Sequence, residues 1–263
     1  MARRFHKMHG LGNDFVVFDA RAEPLAISGD QARAVSDRRT GVGCDQLIVL
    51  EPSSAADVRM RIFNADGGEV EACGNAARCV AMLLGGEQRI ETLGGVISGA
   101  STREGVTVDL GRPRFAPEEI PISYSMDTSA MPLAWEELTE PFAVNVGNPH
   151  LIFFVPDEAA VDLGRLGPTI GQDPLFPQGV NVNVAAIADG TVRLRTWERG
   201  AGLTPACGTG ACATAVAAVA RRLLPSPVEV RQAGGAIRVE WAPGQNVRMT
   251  GPAVHVFSGE IEL

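Results

Sequence analysis

Two textures of hydrophobic and polar positions alternate along the chain. Short β-branched runs bounded by Gly, Asp and Pro predict strands at "DFVVFD" from Asp14, "QLIVLE" from Gln46 and "VRMRIFN" from Val58. "GVISGA" from Gly95 and "GVTVDLG" from Gly105 then predict a hairpin. A second series follows: "FAVNV" from Phe142, "HLIFFV" from His150, "VNVNVAAI" from Val180 and "TVRLRTWE" from Thr191, then "VEVRQ" from Val228, "AIRVEWA" from Ala236 and "NVRMTG" from Asn246. Helical spacing predicts helices at "DQARAVSDR" from Asp30, "GNAARCVAMLLG" from Gly74 and "GTGACATAVAAVARRLL" from Gly208, with a short one near "EAAVDLGRLG" from Glu158. Strands outnumber helices in both halves, which predicts an α+β (α/β) fold with mixed sheets wrapped on a central helix.

The two series are copies of one another. "GNDFVVF" from Gly12 resembles "GNPHLIF" from Gly147, at an offset of 135 residues, and "QLIV" from Gln46 precedes "NVNV" from Asn181 by the same 135. "NADGGEVEAC" from Asn64 lies without gaps on "ERGAGLTPAC" from Glu198, so that Cys73 and Cys207 stand 134 apart. One shared offset near half the chain length indicates a duplicated domain rather than a solenoid of short repeats.

Composition narrows the function classes. The 263 residues, 45% of them hydrophobic, suffice for two cores in a globular protein. With 31 acidic against 23 basic residues and no basic stripe, the chain is not expected to bind nucleic acid. The longest purely apolar run, "LIFFV", is too short to span a bilayer, and no apolar signal segment follows the basic start, so no membrane association and a cytoplasmic location are expected. Five cysteines without an export signal speak against a disulfide framework. Lys7 is the sole lysine, which disfavours Schiff-base and pyridoxal phosphate chemistry. No dinucleotide-binding glycine loop or phosphate-loop lysine motif occurs either.

The chemistry concentrates at "ACGNAARC" and "ACGTGAC". Each places a cysteine immediately before a helix whose first N–H groups lack intrahelical partners, and such an end attracts anions and favours thiolate. The adjacent glycines admit a ligand to the backbone, and Asn75 and Thr209 add polar contacts. Each copy thus pairs an anion cradle with a tunable acid or base. If both faced one carboxylate-bearing α-carbon, one thiol could remove a proton while the other delivered one to the opposite face. A four-cysteine zinc site from Cys73, Cys79, Cys207 and Cys212 is disfavoured, because separations of six and five residues put helical partners on different faces. No metal is expected, and Cys44, Cys79 and Cys212 read as packing residues.

These motifs, with "KMHGLGNDFVVFD", "GVGCDQ" and "WERGAG", give the chain a resemblance to the diaminopimelate epimerases, cofactor-independent enzymes that use two cysteines. The resemblance implies two pseudo-symmetric domains, each a mixed β-sheet barrel around a central helix, with the active site in the cleft between them. Its domains would be 1–113, completed by a returning strand at about 254–263, and 114–253. It implies epimerisation of LL- to meso-diaminopimelate in lysine and peptidoglycan precursor biosynthesis, with no cofactor, and it is compatible with a homodimer. Cys73 and Cys207 would be the acid and base, assisted by His150 and Glu198. Gly74, Asn75, Gly208 and Thr209 would hold the α-carboxylate, while Asn13, Gln46, Asn64, Asn148, Asn181, Glu198 and Arg199 would line the rest of the substrate site. The chain departs from the family pattern at Ala76, where glycine is common, and after "ERGAG", where Glu-Thr is usual but Leu203 precedes Thr204 and Pro205 follows. These departures leave open a racemase of another amino acid, such as proline or histidine, or an amino-acid-binding protein without catalysis.

Overall fold

The computed structural model describes residues 2–102 and 104–263. The chain forms two compact units, one comprising residues 1–108 and 251–263 and the other residues 109–250.

In the first unit the elements are β1 (Ala2–Gly10), β2 (Asn13–Asp19), α1 (Gly29–Ser36), β3 (Gln46–Glu51), β4 (Val58–Asn64), α2 (Gly74–Leu84), β5 (Glu87–Thr92), β6 (Gly95–Thr102) and β7 (Gly105–Asp109). The strands lie in the order β7-β6-β5-β4-β3-β2-β1. β2 runs parallel to β3 and β4 parallel to β5, while the β1–β2, β3–β4 and β5–β6 pairs are antiparallel. Residues 74–81 of α2 are all buried, and the helix packs against β1, β5 and β6. Ser28 caps α1 reciprocally with Gln31, which satisfies two orphan donors at once.

The second unit contains β8 (Ala134–Trp135), β9 (Leu138–Thr139), β10 (Phe142–Asn145), β11 (Pro149–Phe154), α3 (Leu163–Gly171), β12 (Asn181–Ala188), β13 (Thr191–Glu198), β14 (Gly202–Thr204), α4 (Gly208–Ala220), β15 (Val228–Gln232), β16 (Gly235–Glu240) and β17 (Arg248–Gly251). Its order is β17-β16-β15-β13-β12-β11-β10, with β14 added on β13. The parallel pairs are β11–β12 and β13–β15, and the others in this path are antiparallel. This repeats the strand order and directions of the first unit, helix for helix, as the sequence offset requires. α4 is apolar all round and buried from Gly208 to Ala218, as befits a helix enclosed by strands. A last strand, β18 (Val254–Glu262), pairs antiparallel with β1 within the first unit.

Two expectations need correction. The helix expected near Glu158 begins later, at Leu163, because the Asp162 side chain accepts from the Arg165 N–H and caps it there. α4 stops at Ala220 rather than running on through Leu224. Arg222 turns to a positive φ of 58°, and the Leu223 and Leu224 N–H groups fold back onto the Ala218 carbonyl. β1 and β5 carry no strong strand pattern, yet each pairs with a strand on both sides.

Candidate functional site

In each unit a short turn, of two residues in the first and three in the second, sets an asparagine at or just before the start of a strand. Gly10 pairs with Asn13 across the β1–β2 hairpin, whose turn residues Leu11 and Gly12 have φ of 59° and 86°. A leucine held at positive φ is strained, and only a residue such as glycine adopts the second value at no cost. At the corresponding place in the second unit, Gly147 has φ of 114° and precedes Asn148.

The polar cluster of the first unit gathers around Cys73, the N-cap of α2. Its Sγ accepts from the Ala76 N–H at 3.5 Å and lies 3.8 Å from Asn13 Oδ1. Asn75 Nδ2 donates to the same Asn13 oxygen at 3.1 Å, so Asn13, Cys73 and Asn75 form one polar cluster. The wholly buried Arg78 donates from Nη2 to Asn75 Oδ1 at 2.8 Å and from Nε to the Pro252 carbonyl at 3.2 Å. Asn13 is fixed from its other end, where Nδ2 donates to Asp45 Oδ2 at 2.9 Å.

Behind Asp45 lies a charged lattice. Arg38 bonds both Asp14 and Asp45, and Lys7 donates to Asp14 Oδ2 at 2.5 Å and to the Gly43 carbonyl. Burial pushes the Asp14 carboxyl up, but the hydrogen bonds from Arg38 and Lys7 outweigh it and hold the group down at about 2. The sole lysine is therefore a structural cation. Gln46 and Asn64 face each other across β3 and β4, with Gln46 Nε2 donating to Asn64 Oδ1 at 2.9 Å. Gln46 Oε1 is buried with no partner among the described residues, an acceptor still to be satisfied.

The second unit repeats the plan around Cys207, the N-cap of α4. Its Sγ accepts from the Gly210 N–H at 3.3 Å and lies 3.6 Å from Thr209 Oγ1. The buried thiol is pushed well up, first by desolvation and then by the charge of Glu198, to which it is also hydrogen-bonded; Thr209 and the Gly210 N–H pull weakly the other way. Cys207 is thus a thiol at neutral pH, with a carboxylate beside it. Thr204 Oγ1 donates to Glu198 Oε1 at 2.5 Å and orients that carboxylate. The Cys207 N–H donates to Gln232 Oε1 at 2.7 Å.

His150 is wholly buried. Asn183 Nδ2 donates to its Nδ1 at 3.1 Å, which places the ring proton on Nε2, where it donates to Asn148 Oδ1 at 2.8 Å. Burial, then the charge of Arg199, lowers the imidazole to about 3, so it stays neutral at physiological pH. Asn183 is in turn held by Thr196 Oγ1, at 3.0 Å from its Oδ1. Asn181 Oδ1 accepts from the Arg199 N–H at 2.8 Å, and its Nδ2 donates to the Pro149 carbonyl at 3.0 Å. The Arg199 guanidinium donates to the Gln178 carbonyl at 2.7 Å.

Within the first unit, then, Asn13, Cys73, Gly74 and Asn75 come together, with Gln46 and Asn64 paired on neighbouring strands. Within the second, Cys207, Gly208, Thr209 and Glu198 form one cluster, and Asn148, His150, Asn181 and Arg199 are joined through Asn183 and Arg199's own backbone. The sequence reading missed Asp14, Asp45, Arg38, Arg78, Asn183, Thr196 and Gln232. Asn183 could have been found, because it stands two positions after Asn181 on one strand and so shares its face.

The family model of diaminopimelate epimerase matches residues 5–116 and 142–256 of this chain. The chain belongs to the diaminopimelate epimerase family. It is similar to the diaminopimelate epimerase of Rhizorhabdus wittichii, at 63% identity covering 100% of this chain and 97% of that protein. The diaminopimelate epimerase of Sphingopyxis alaskensis is 58% identical over 100% and 98% of the two chains. Among solved structures, a hydroxyproline epimerase from Agrobacterium vitis shares the fold with a TM-score of 0.70 at 19% identity, covering 99% of this chain and 91% of that one. The family is one of isomerases, with two pseudo-symmetric domains of mixed α/β structure.

Against the diaminopimelate epimerase pattern, Ala76 and Gly210 occupy the same position, third after the cysteine. A methyl group fits at Ala76, which is fully buried, whereas a Cβ on Gly210 would come within 2.7 Å of Asn183 Oδ1. The departure at Ala76 is therefore accommodated locally. Leu203 is 51% exposed on β14, opposite Trp197, and the neighbouring Thr204 makes the contact with Glu198.

Proposed function

We propose that the chain interconverts LL- and meso-diaminopimelate without a cofactor, by a two-base exchange between Cys73 and Cys207, as a step toward lysine and peptidoglycan precursors. The observation that carries this reading is the duplication of one device. In two units of identical strand order, a cysteine caps the enclosed helix and its Sγ accepts from the N–H three residues on, at 3.5 and 3.3 Å.

In this proposal the α-carboxylate is bound by the N–H groups at Gly74, Asn75, Gly208 and Thr209, where the helix ends favour negative charge. As the α-proton leaves, charge builds toward that carboxylate, and preorganised N–H donors lower the barrier without reorganising. An amino-acid α-proton is a weak acid and a thiolate a modest base, so exclusion of water from the bound substrate is needed to raise both effects. Cys207, resting as a thiol, donates to the carbanion from one face while Cys73 takes the proton from the other. Glu198 then stands beside the sulfur whose protonation changes and controls it directly. His150 is a neutral imidazole that orients Asn148. Asn13, Gln46, Asn64, Asn148, Asn181 and Arg199 read the ammonium groups and the distal amino-acid end, since amides both donate and accept; the unpartnered Gln46 Oε1 suits an ammonium.

Incubation with LL-diaminopimelate should give the meso isomer, while L-proline and L-histidine remain unchanged by chiral chromatography. Turnover of those amino acids in place of diaminopimelate would move the substrate, and binding without turnover would remove the catalytic claim. The role of Glu198 makes a separate prediction. Thr204→Val removes its 2.5 Å donor and should lower kcat by about tenfold, the scale of one lost hydrogen bond to a charged group. Steady-state kinetics that match the parent enzyme would show that Thr204 does not orient Glu198.

A further inference from the structure

The segment leading into Cys207 is held at two backbone groups by one hairpin. β15 and β16 close through the Gln232–Gly235 pair, leaving Ala233 and Gly234 as the turn. From that turn the Gly234 N–H donates to the Pro205 carbonyl at 2.8 Å, and the Gln232 side chain accepts the Cys207 N–H at 2.7 Å. The residue between, Ala206, is buried, as is Cys207. Pro205 has no N–H of its own, so its carbonyl is the one backbone group it can offer to fix this approach to the helix.

We infer that Gln232 is a positioning residue for Cys207: its amide oxygen anchors the backbone of the capping cysteine and thereby keeps Sγ within reach of the Gly210 N–H and Thr209 hydroxyl. The inference rests on the assignment of Cys207 as one of the two acid–base thiols. The side-chain oxygen serves here as a third restraint, since the sulfur's own contacts at 3.3 and 3.6 Å are weak. A second observation sets Gln232 apart from a packing residue. Its Nε2 is buried with no hydrogen-bond partner among the described residues. A chain tolerates an unsatisfied buried amide where the group's other end does something the fold or the site requires. Leucine or methionine would fill the same volume without that penalty, but neither could accept the Cys207 N–H.

If the anchor is lost, Cys207 can swing about the 204–206 segment, the Gly210 N–H to Sγ contact lengthens, and the thiolate loses its nearest donor. Two substitutions test this. Gln232→Met keeps the shape and removes the acceptor; Gln232→Glu keeps an acceptor for the Cys207 N–H and is the control in which the anchor survives. In Gln232→Met the pH midpoint for iodoacetamide alkylation of Cys207, resolved by peptide mass spectrometry, should move downward, because a thiol that leaves its seat loses the burial that holds it up, which outweighs the weak donors it gives up; in Gln232→Glu it should stay closer to the parent's. Cys73 in the same samples should keep its curve. For Gln232→Met, kcat on LL-diaminopimelate should fall about tenfold, with KM within twofold of the parent.

A Cys207 curve that overlies the parent's in folded Gln232→Met would overturn the inference, and so would equal shifts at Cys73 and Cys207, which signal general loosening. Should the methionine variant not fold, Gln232→Leu, which also lacks the acceptor, decides on the alkylation curve alone. Cys207→Ala is run alongside. If it retains epimerisation, the two-thiol reading fails; if it loses it while the Gln232 curves stay put, only the role of Gln232 fails.

Discussion

Cys73→Ala and Cys207→Ala should each reduce epimerisation of LL-diaminopimelate by about 10³-fold or more, within the range for loss of a positioned acid or base. In the proposed exchange each thiol serves one face of the same carbon, so one cannot take over from the other. The double variant should be no slower than the worse single one, because groups that act as a unit are strongly non-additive. Stability should change little at Cys73, which is half-buried, and modestly at Cys207, which is 3% exposed. Thermal unfolding of the variants therefore separates a lost reaction from a lost fold. Either single variant retaining turnover within tenfold of the parent would remove that cysteine from the mechanism.

The second large effect lies at a residue with no functional group. Gly210 supplies the N–H that meets Cys207 Sγ, and a Cβ there would sit 2.7 Å from Asn183 Oδ1 and 3.0 Å from Thr196 Oγ1. Asn183 cannot yield easily. It is wholly buried, and its amide holds His150 Nδ1, the Leu151 carbonyl and Thr196 at once. Gly210→Ala must therefore displace either the amide that fixes His150 or the first turn of α4 that fixes Cys207. We expect a stability loss of about 1–3 kcal/mol, typical of overpacking, and a fall in kcat of about 10²-fold, the scale of an ångström's misplacement at a reacting group. The reverse change in the first unit, Ala76→Gly, serves as the control, since it removes a methyl that fits. Equal activity losses in the two variants would show that the crowding at Asn183 is irrelevant.

How much of this could be read from the chain varies with the kind of residue. β3, β4, β13 and β15 coincide with their predicted bounds, because each is a β-branched run closed by a turn residue or a charge. β5, "EQRIET", was not legible: only Ile90 and Thr92 are buried, and its conformation comes from pairing with β4 and β6 rather than from its own pattern. β1 is similar, a mostly polar strand paired on both sides by β2 and β18.

The site divides along the same line. The cysteine caps were legible because a local device, repeated at one offset, survives in sequence as two matching strings. The residues that hold the device in place were not. Arg78 reaches Asn75 and Pro252, Asp45 reaches Asn13, and Gln232 reaches Cys207 across 25 positions of chain. Such partners are set by tertiary packing, and nothing in their own neighbourhoods marks them. His150 shows the intermediate case. Its position in "GNPH" drew attention to it, but its neutral state follows only from full burial and the Arg199 charge.

The central claim is that two different groups handle the proton on the two faces of one carbon. The most direct test is epimerisation of LL-diaminopimelate in deuterated water, stopped after a few per cent of turnover, with α-deuterium measured in both isomers. A two-thiol mechanism predicts that the meso product carries solvent deuterium at the inverted carbon while recovered LL substrate retains its hydrogen. Deuterium appearing equally in recovered substrate and product from the first time points would point to a single base serving both faces, and would contradict the account.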